Sequence, residues 1–296
     1  MARKKVSSGK AVAANSASKV AKTIKLFIGG EFPRTESGRT LPVFEDGSQN
    51  LYAHICRASR KDYRNAVTAA REASGGWAHR SAYNRSQILY RMAEMMEGKR
   101  HEFVDVLSST LGQTASEADA AVNGAIDALV YFSGFCDKFQ QLMGSVNPVS
   151  GPHHNFTTAE GVGVVTLIAD EKFSLADLAA QIAAVIATGS VLVVLMAEEG
   201  AAVLAPLAEV FATSDLPKGV INLLTGQLSE LAQQIGAHME VQSLSYQGRD
   251  EKVRKELITL AADNMKRVVG RVKAPLSLEH LLCYVEYKTA WHPVGQ

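Results

Sequence analysis

Beyond residue 160 the chain alternates short apolar runs with longer stretches whose apolar residues recur at helical spacing. The runs lie at 162–168, 190–196, 219–224 and 241–246, with a weaker one at 268–272. Unbroken apolar strands are covered on both faces, and strands that alternate with helical patterns build a parallel sheet. The pattern therefore predicts an α/β fold with a doubly wound parallel sheet of the dinucleotide-binding type. The stretch GVGVVTLIADEKFSLADLAAQIAAVIATGSVLVVL, residues 161–195, forms one complete strand-helix-strand unit of it.

The first half reads differently. KLFIGGEFPRTESGRTLPVFED predicts a β-hairpin and turn, punctuated by Gly29-Gly30 and Pro33. RKDYRNAVTAAREASGGW predicts a helix with an N-terminal cap at Ser59 and a stop at Gly75-Gly76. NRSQILYRMAEMMEGKRHEFVDVLSSTLG and ASEADAAVNGAIDALVYFSGFCDKFQQLM carry further apolar residues at helical spacing, and GSVNPVSGPHHNFTTAEG is a polar, hairpin-like connection. At the other end EHLLCYVEYKTAWH alternates with period two. It places Cys283, Val285, Tyr287, Thr289 and Trp291 on one side and Tyr284, Glu286, Lys288, Ala290 and His292 on the other.

Charge changes the picture at the N-terminus. Seven of the 31 basic residues, from Arg3 to Lys25, precede the first acid at Glu31, leaving 24 against 30 acids in the body. A Ser/Ala/Lys-rich segment without aromatics reads as a disordered basic tail, here residues 1–25, with an amphipathic address helix in GKAVAANSASKVAKTI as the other reading. It lacks the interleaved aromatics of a nucleic-acid binder, so no nucleic-acid partner is expected. No apolar run has the length of a membrane span and no secretory h-region is present. Three cysteines without metal or disulfide spacing suit a reducing compartment, and a cytoplasmic location is expected. The adjacent pair His153-His154 has no further ligands at useful spacing, so no metal is predicted.

LFIGGEFPRTESGRT, AVTAAREASGGWAHRSAYNRSQIL, LGQTASEA, GVGVV, DLPKGVINLLTG and AADNMKRV follow one another over roughly residues 25–270 in an order and spacing that resembles the aldehyde dehydrogenase superfamily. LPKGVINLLTG is the most specific of them. YVEYKTAWHP resembles that family's C-terminal oligomerisation strand, and NFTTAEGVG the hairpin it pairs with. The resemblance implies a cofactor domain from 26–145 and 161–274, joined directly to a β oligomerisation flap from 146–160 and 279–294. The catalytic domain that stands between them in the family is not matched.

The family oxidises aldehydes through a cysteine thiolate, an oxyanion-stabilising Asn, a carboxylate base and a nicotinamide dinucleotide. None of Cys56, Cys136 and Cys283 stands in the nucleophile's context, and they read as a strand, a helix and a terminal-strand residue. Lys172 occupies the place of the Asn and Arg271 that of the base, and a guanidinium does not take a proton at neutral pH. No catalytic residues are therefore assigned. At the cofactor cleft the resemblance retains Glu198, Gly226 and Gly248 as vestigial binding residues. Leu195 replaces the ribose-binding lysine, and Asp250 and Glu251 open the helix where a pyrophosphate would seek the dipole.

The resulting expectation is a catalytically inactive subunit. Through its C-terminal strand it assembles with a full-length NAD(P)-dependent aldehyde dehydrogenase or with itself, and it has no cofactor of its own. A self-assembling NAD- or NADP-binding sensor is the alternative, and an active oxidoreductase a third reading.

Overall fold

The computed structural model describes residues 21–295. Expectations for the tail fall outside that range up to residue 20, but its proposed end at 25 is corrected. Lys22–Ile24 form β1, paired in parallel with β3 (Leu51–Cys56), which also pairs antiparallel with β2 (Thr40–Phe44). Ile24 is buried, and that burial holds the segment in place.

Five helices follow: α1 (Arg60–Ala78), α2 (Ala82–Gly98), α3 (Arg100–Leu111), α4 (Ala115–Ser133) and α5 (Phe139–Met143). At the start of α1, Ser59 and Asp62 form a reciprocal capping box. The Asp62 carboxylate also accepts from the Thr35 hydroxyl at 2.6 Å. Gly75 and Gly76 do not end α1, contrary to the expectation. One residue later Trp77 is fully buried and its Nε1–H donates to the Ile186 carbonyl at 3.0 Å, so tertiary anchoring overrides the glycine propensity. The single helical pattern at 84–112 is broken at Lys99, whose ammonium reaches Glu102 at 3.0 Å and Glu209 at 2.5 Å.

A hairpin of β4 (Ser145–Asn147) and β5 (His153–Gly161) leads into the main sheet. The sheet consists of β6 (Val164–Ile168), β7 (Val191–Met196), β8 (Ile221–Thr225), β9 (Ser243–Tyr246) and β10 (Arg267–Val269). All pairings are parallel and the order is β10-β9-β6-β7-β8. The four longer strands are buried at every position, as their unbroken apolar runs require. The crossovers are α6 (Leu175–Ala187), α7 (Leu204–Thr213), α8 (Leu228–Ala237) and α9 (Glu251–Ala262). Every residue of α6 except Ala176 and Asp177 is buried, because the helix runs between the sheet and α4. The outer edge of β8 is closed by Phe27, which exchanges two backbone hydrogen bonds with Leu223.

After β10 a short α10 (Leu278–Leu282) precedes β11 (Val285–Pro293), which pairs with β5 along nine residues to give the flap sheet β11-β5-β4. Cys283 and Tyr284 do not belong to the strand as expected. Cys283 caps α10, while Tyr284 is fully buried and its hydroxyl lies 2.9 Å from Ser245 Oγ. Cys136 likewise lies past the end of α4, in the turn before α5. Among the described residues no helix is long and apolar enough to cross a membrane.

Candidate functional site

The carboxyl ends of β6, β7, β8 and β9 lie along one end of the parallel sheet, the place where open parallel sheets bind ligands. The loop after β6 holds Asp170, Glu171 and Lys172. Asp170 is its hub. Its carboxylate receives Arg249 from the loop after β9, with Nη2 at 3.3 Å, and Arg271 from beyond β10, with Nη2 at 3.2 Å. It also accepts the Lys172 backbone N–H at 3.1 Å. Partial burial would raise the Asp170 pKa, but Arg249, the Lys172 N–H and Arg271 together hold it below the usual carboxylate range. Arg271, expected from the resemblance at the place of the family's base, is one half of an ion pair.

The Glu171 carboxylate accepts the Arg249 N–H at 3.1 Å and the Tyr246 hydroxyl at 3.4 Å. Burial, and then the nearby Glu171 charge, push the Tyr246 phenol up to about 12. These two side chains explain Gly248. A Cβ there would lie 2.5 Å from the Tyr246 ring and 2.6 Å from Glu171 Oε1, so a side chain at 248 would have to displace one or both of them. Gly226 faces the backbone of Ala58, where an added Cβ would come within 3.2 Å of the amide nitrogen. Both glycines are accounted for by the chain's own packing. Glu198 is exposed at the end of β7, while Leu195 is buried.

Glu198 and Gly226 do line one cavity, of about 310 Å³, together with Glu171, Glu199 and the apolar ends of β6 and β7. Gly248 is not part of its wall. The sequence-selected residues therefore meet only in part, and the cavity carries three carboxylates. A dinucleotide's pyrophosphate would need the free N–H groups at the start of α9. There the Asp250 carboxylate already accepts the Lys252 N–H at 2.8 Å and the Val253 N–H at 3.4 Å. With Glu171 taking the Arg249 N–H as well, the residues present do not fit a pyrophosphate at this place.

None of the three thiols lines the cavity at the ends of β6, β7 and β8, but Cys283 borders another, of about 660 Å³, together with Arg271. Cys56 and Cys136 are buried, and Cys283 donates within its own helix to the Glu279 carbonyl at 3.3 Å. Burial pushes the Cys136 thiol up to about 12, against a lowering by Arg85. Burial raises Cys283 too, in spite of Arg267. His153 and His154 are exposed on β5, and among the described residues no group of three or more His, Cys, Asp or Glu side chains is arranged to hold a metal ion.

The flap presents a second feature. The Val285 carbonyl accepts from Arg267 Nη1 at 2.6 Å, on the side away from β5, whereas the Tyr284 carbonyl accepts from Val162 and the Val294 N–H donates to Pro152. Backbone groups alternate sides along a strand. Tyr287, Thr289 and Trp291 therefore direct N–H and C=O away from β5, along the free edge of the flap sheet. Their side chains are exposed as well, Tyr287 to 51% and Trp291 to 63%.

Sequence reasoning missed Asp170 as a hub. The only local signal was a pair of acids in a loop, and its partners Arg249 and Arg271 arrive from two later crossovers.

The family model for the aldehyde dehydrogenase family matches residues 32–272. A cytosolic 10-formyltetrahydrofolate dehydrogenase of Pongo abelii is 31% identical over 251 residues, covering 82% of this chain and 28% of the relative. A putative aldehyde dehydrogenase of Bacillus subtilis is 30% identical over 249 residues, covering 83% of this chain and 50% of the relative. Among solved structures, the NAD+ complex of a Bacillus cereus aldehyde dehydrogenase superposes with a TM-score of 0.79 at 27% identity, covering 84% of this chain and 50% of that one. The chain thus spans half or less of the length of these relatives. With the family model matching most of its length and this likeness to a solved aldehyde dehydrogenase, the chain belongs to the aldehyde dehydrogenase family.

Proposed function

We propose that this chain is a catalytically silent aldehyde dehydrogenase-like subunit that docks through the free edge of β11 onto a full-length NAD(P)-dependent aldehyde dehydrogenase. The observation that carries the reading is that edge. Three successive outward-facing residues, Tyr287, Thr289 and Trp291, offer ladder hydrogen bonds and exposed aromatic surface with no strand beside them among the described residues. Proteins blunt such edges or pair them, and strand addition is a recurrent way to use them. Silence is supported by the cleft, where Arg271 and Lys172 stand for base and oxyanion donor and no cysteine lines the cavity at the ends of β6, β7 and β8. A subunit of this kind would stabilise or regulate its partner rather than turn over an aldehyde itself.

The test is affinity purification of the tagged chain from its native cell, with mass spectrometry of partners at stoichiometric yield. A full-length aldehyde dehydrogenase in that fraction is the expected result. Recovery of the chain only as a homo-oligomer would overturn the reading in favour of self-assembly.

A further inference from the structure

A groove of about 640 Å³ lies at the start of α1, between the segment that carries Glu36 and Arg39 and the first turn of α8. Its wall holds four cations, Arg39, Arg60, Lys61 and Arg64, against two acids, Glu36 and Glu230. Both acids are already taken. Glu230 receives Arg39 Nη2 at 3.2 Å and Arg57 Nε at 3.2 Å, and Glu36 receives Lys61 Nζ at 3.4 Å. Behind the wall, the buried Asp62 carboxylate accepts from the Thr35 hydroxyl at 2.6 Å and from the backbone N–H groups of Ser59 and Glu36. With Arg57 and Asp62 counted as well, five cations stand against three acids, so two positive charges remain in surplus either way. The surplus falls on Arg60 and Arg64, which are exposed and form no ion pair among the described residues.

Local physics disfavours this placement. Arg60 and Lys61 open the nineteen-residue α1 and Arg64 follows one turn on, so three cations crowd the positive end of a helix dipole. The ten-residue α8 brings a second positive end to the groove. Its N-cap, Gln227, makes no side-chain capping bond, and the Ser229 N–H in the groove wall has no partner among the described residues. Two helix starts and a surplus of cations therefore meet without compensation from the described chain, and conflicts of this kind gather at functional sites. A bound anion resolves it. Arg60 and Arg64 stand four residues apart on the helix, hence on one side of it, where a single group reaches both.

A surplus of two selects a dianion over a single carboxylate. A phosphate monoester carries about −1.5 to −2 at neutral pH, and its oxygens suit the paired N–H groups of guanidinium side chains. The groove also exceeds one bare ion, with a volume inside the range of roughly 300–1,000 Å³ typical of small-molecule sites. We propose that this groove binds a small phosphate monoester, with the phosphoryl group on Arg60 and Arg64 and the organic body lying between α1 and α8. The site shares no residue with the Asp170 loop or with β11, so it does not rest on the docking reading.

The experiment is a two-dimensional NMR titration of the full chain with sodium glycerol 3-phosphate, with glycerol, sodium acetate and sodium chloride at matched ionic strength as controls. The ester is expected to shift the Arg60 and Arg64 Nε–H signals and the Ser229 amide saturably, while glycerol, acetate and chloride do not. Arg60→Gln and Arg64→Gln should each weaken binding roughly tenfold, the scale of one lost charge-assisted contact. Glu36→Gln removes an acid from the wall and should tighten binding severalfold, a change that loss of structure does not produce. Lys273→Gln, which removes one charge outside the groove, should leave the affinity unaltered. No saturable shift with the ester, equal shifts from acetate and the ester, or parent affinity in both arginine variants would overturn the proposal. Arg60 and Arg64 are exposed and unpaired, so neither variant removes an ion pair that the fold uses.

Discussion

Trp77→Ala should destabilise the chain by about 4 kcal/mol, the range for truncating a large buried aromatic ring, and lower the melting temperature by roughly 10 °C. The ring is fully buried at the end of α1, and its Nε1–H donates to the Ile186 carbonyl in the last turn of α6. Removing it opens a cavity between the helical half and the α6 crossover, and leaves that carbonyl without its indole partner. Trp77→Phe separates the two contributions. It keeps most of the volume and loses the hydrogen bond, so about 1–2 kcal/mol is expected. Thermal and urea unfolding of the three proteins checks both values. Equal stability of Trp77→Ala and the parent would mean that α1 does not anchor on α6 in this way.

The second large effect concerns the flap edge. Thr289→Pro should leave the chain folded and weaken its complex with a full-length aldehyde dehydrogenase roughly a hundredfold. Thr289 points its N–H away from β5, so proline at this position removes no ladder hydrogen bond within the chain. The internal loss is the exposed Thr157–Thr289 hydroxyl contact of 2.9 Å, about 1 kcal/mol or less. A partner strand, in contrast, would meet a missing donor and a ring in the middle of the new ladder. Lys288→Pro is the informative comparison. Its N–H faces β5, so this variant should unfold the flap itself and expose residues 285–293 to proteolysis. Size-exclusion chromatography of each variant with the co-expressed enzyme distinguishes a folded chain that no longer docks from a flap that no longer forms.

How much of this was legible in the sequence varies with the range over which each feature is determined. The five strands of the main sheet begin or end within three residues of their expected places, because an apolar run bounded by polar turns is a local signal. The hairpin around Gly29-Gly30 was equally visible, since both glycines adopt a positive φ, at 61° and 75°, which other residues rarely do. The errors arise where tertiary contact outweighs local pattern. Gly75-Gly76 looked like a stop, but the helix continues to bring Trp77 onto α6. Tyr284 fitted the period-two alternation of the terminal strand, yet its hydroxyl partner Ser245 lies in β9, far along the chain.

The cleft shows the same division. The expectation that Lys172, Leu195 and Arg271 stand where the family has its reagents rested on the resemblance, position by position. That Gly248 is held by the chain's own Tyr246 and Glu171, and that Asp250 occupies the start of α9, required the folded geometry. Glu198 and Gly226 share a cavity wall with two further acids, a combination visible only when the ends of β6, β7 and β8 stand side by side.

The central claim is that β11 is an open edge which a partner strand completes. Hydrogen exchange read at single amides, in the free chain and in its complex with the co-purifying enzyme, tests it most directly. The account predicts that the amides of Glu286, Lys288, Ala290 and His292 are protected in both states, while those of Tyr287, Thr289 and Trp291 exchange rapidly alone and become protected on binding. Rapid exchange of Tyr287, Thr289 and Trp291 in the complex would contradict it.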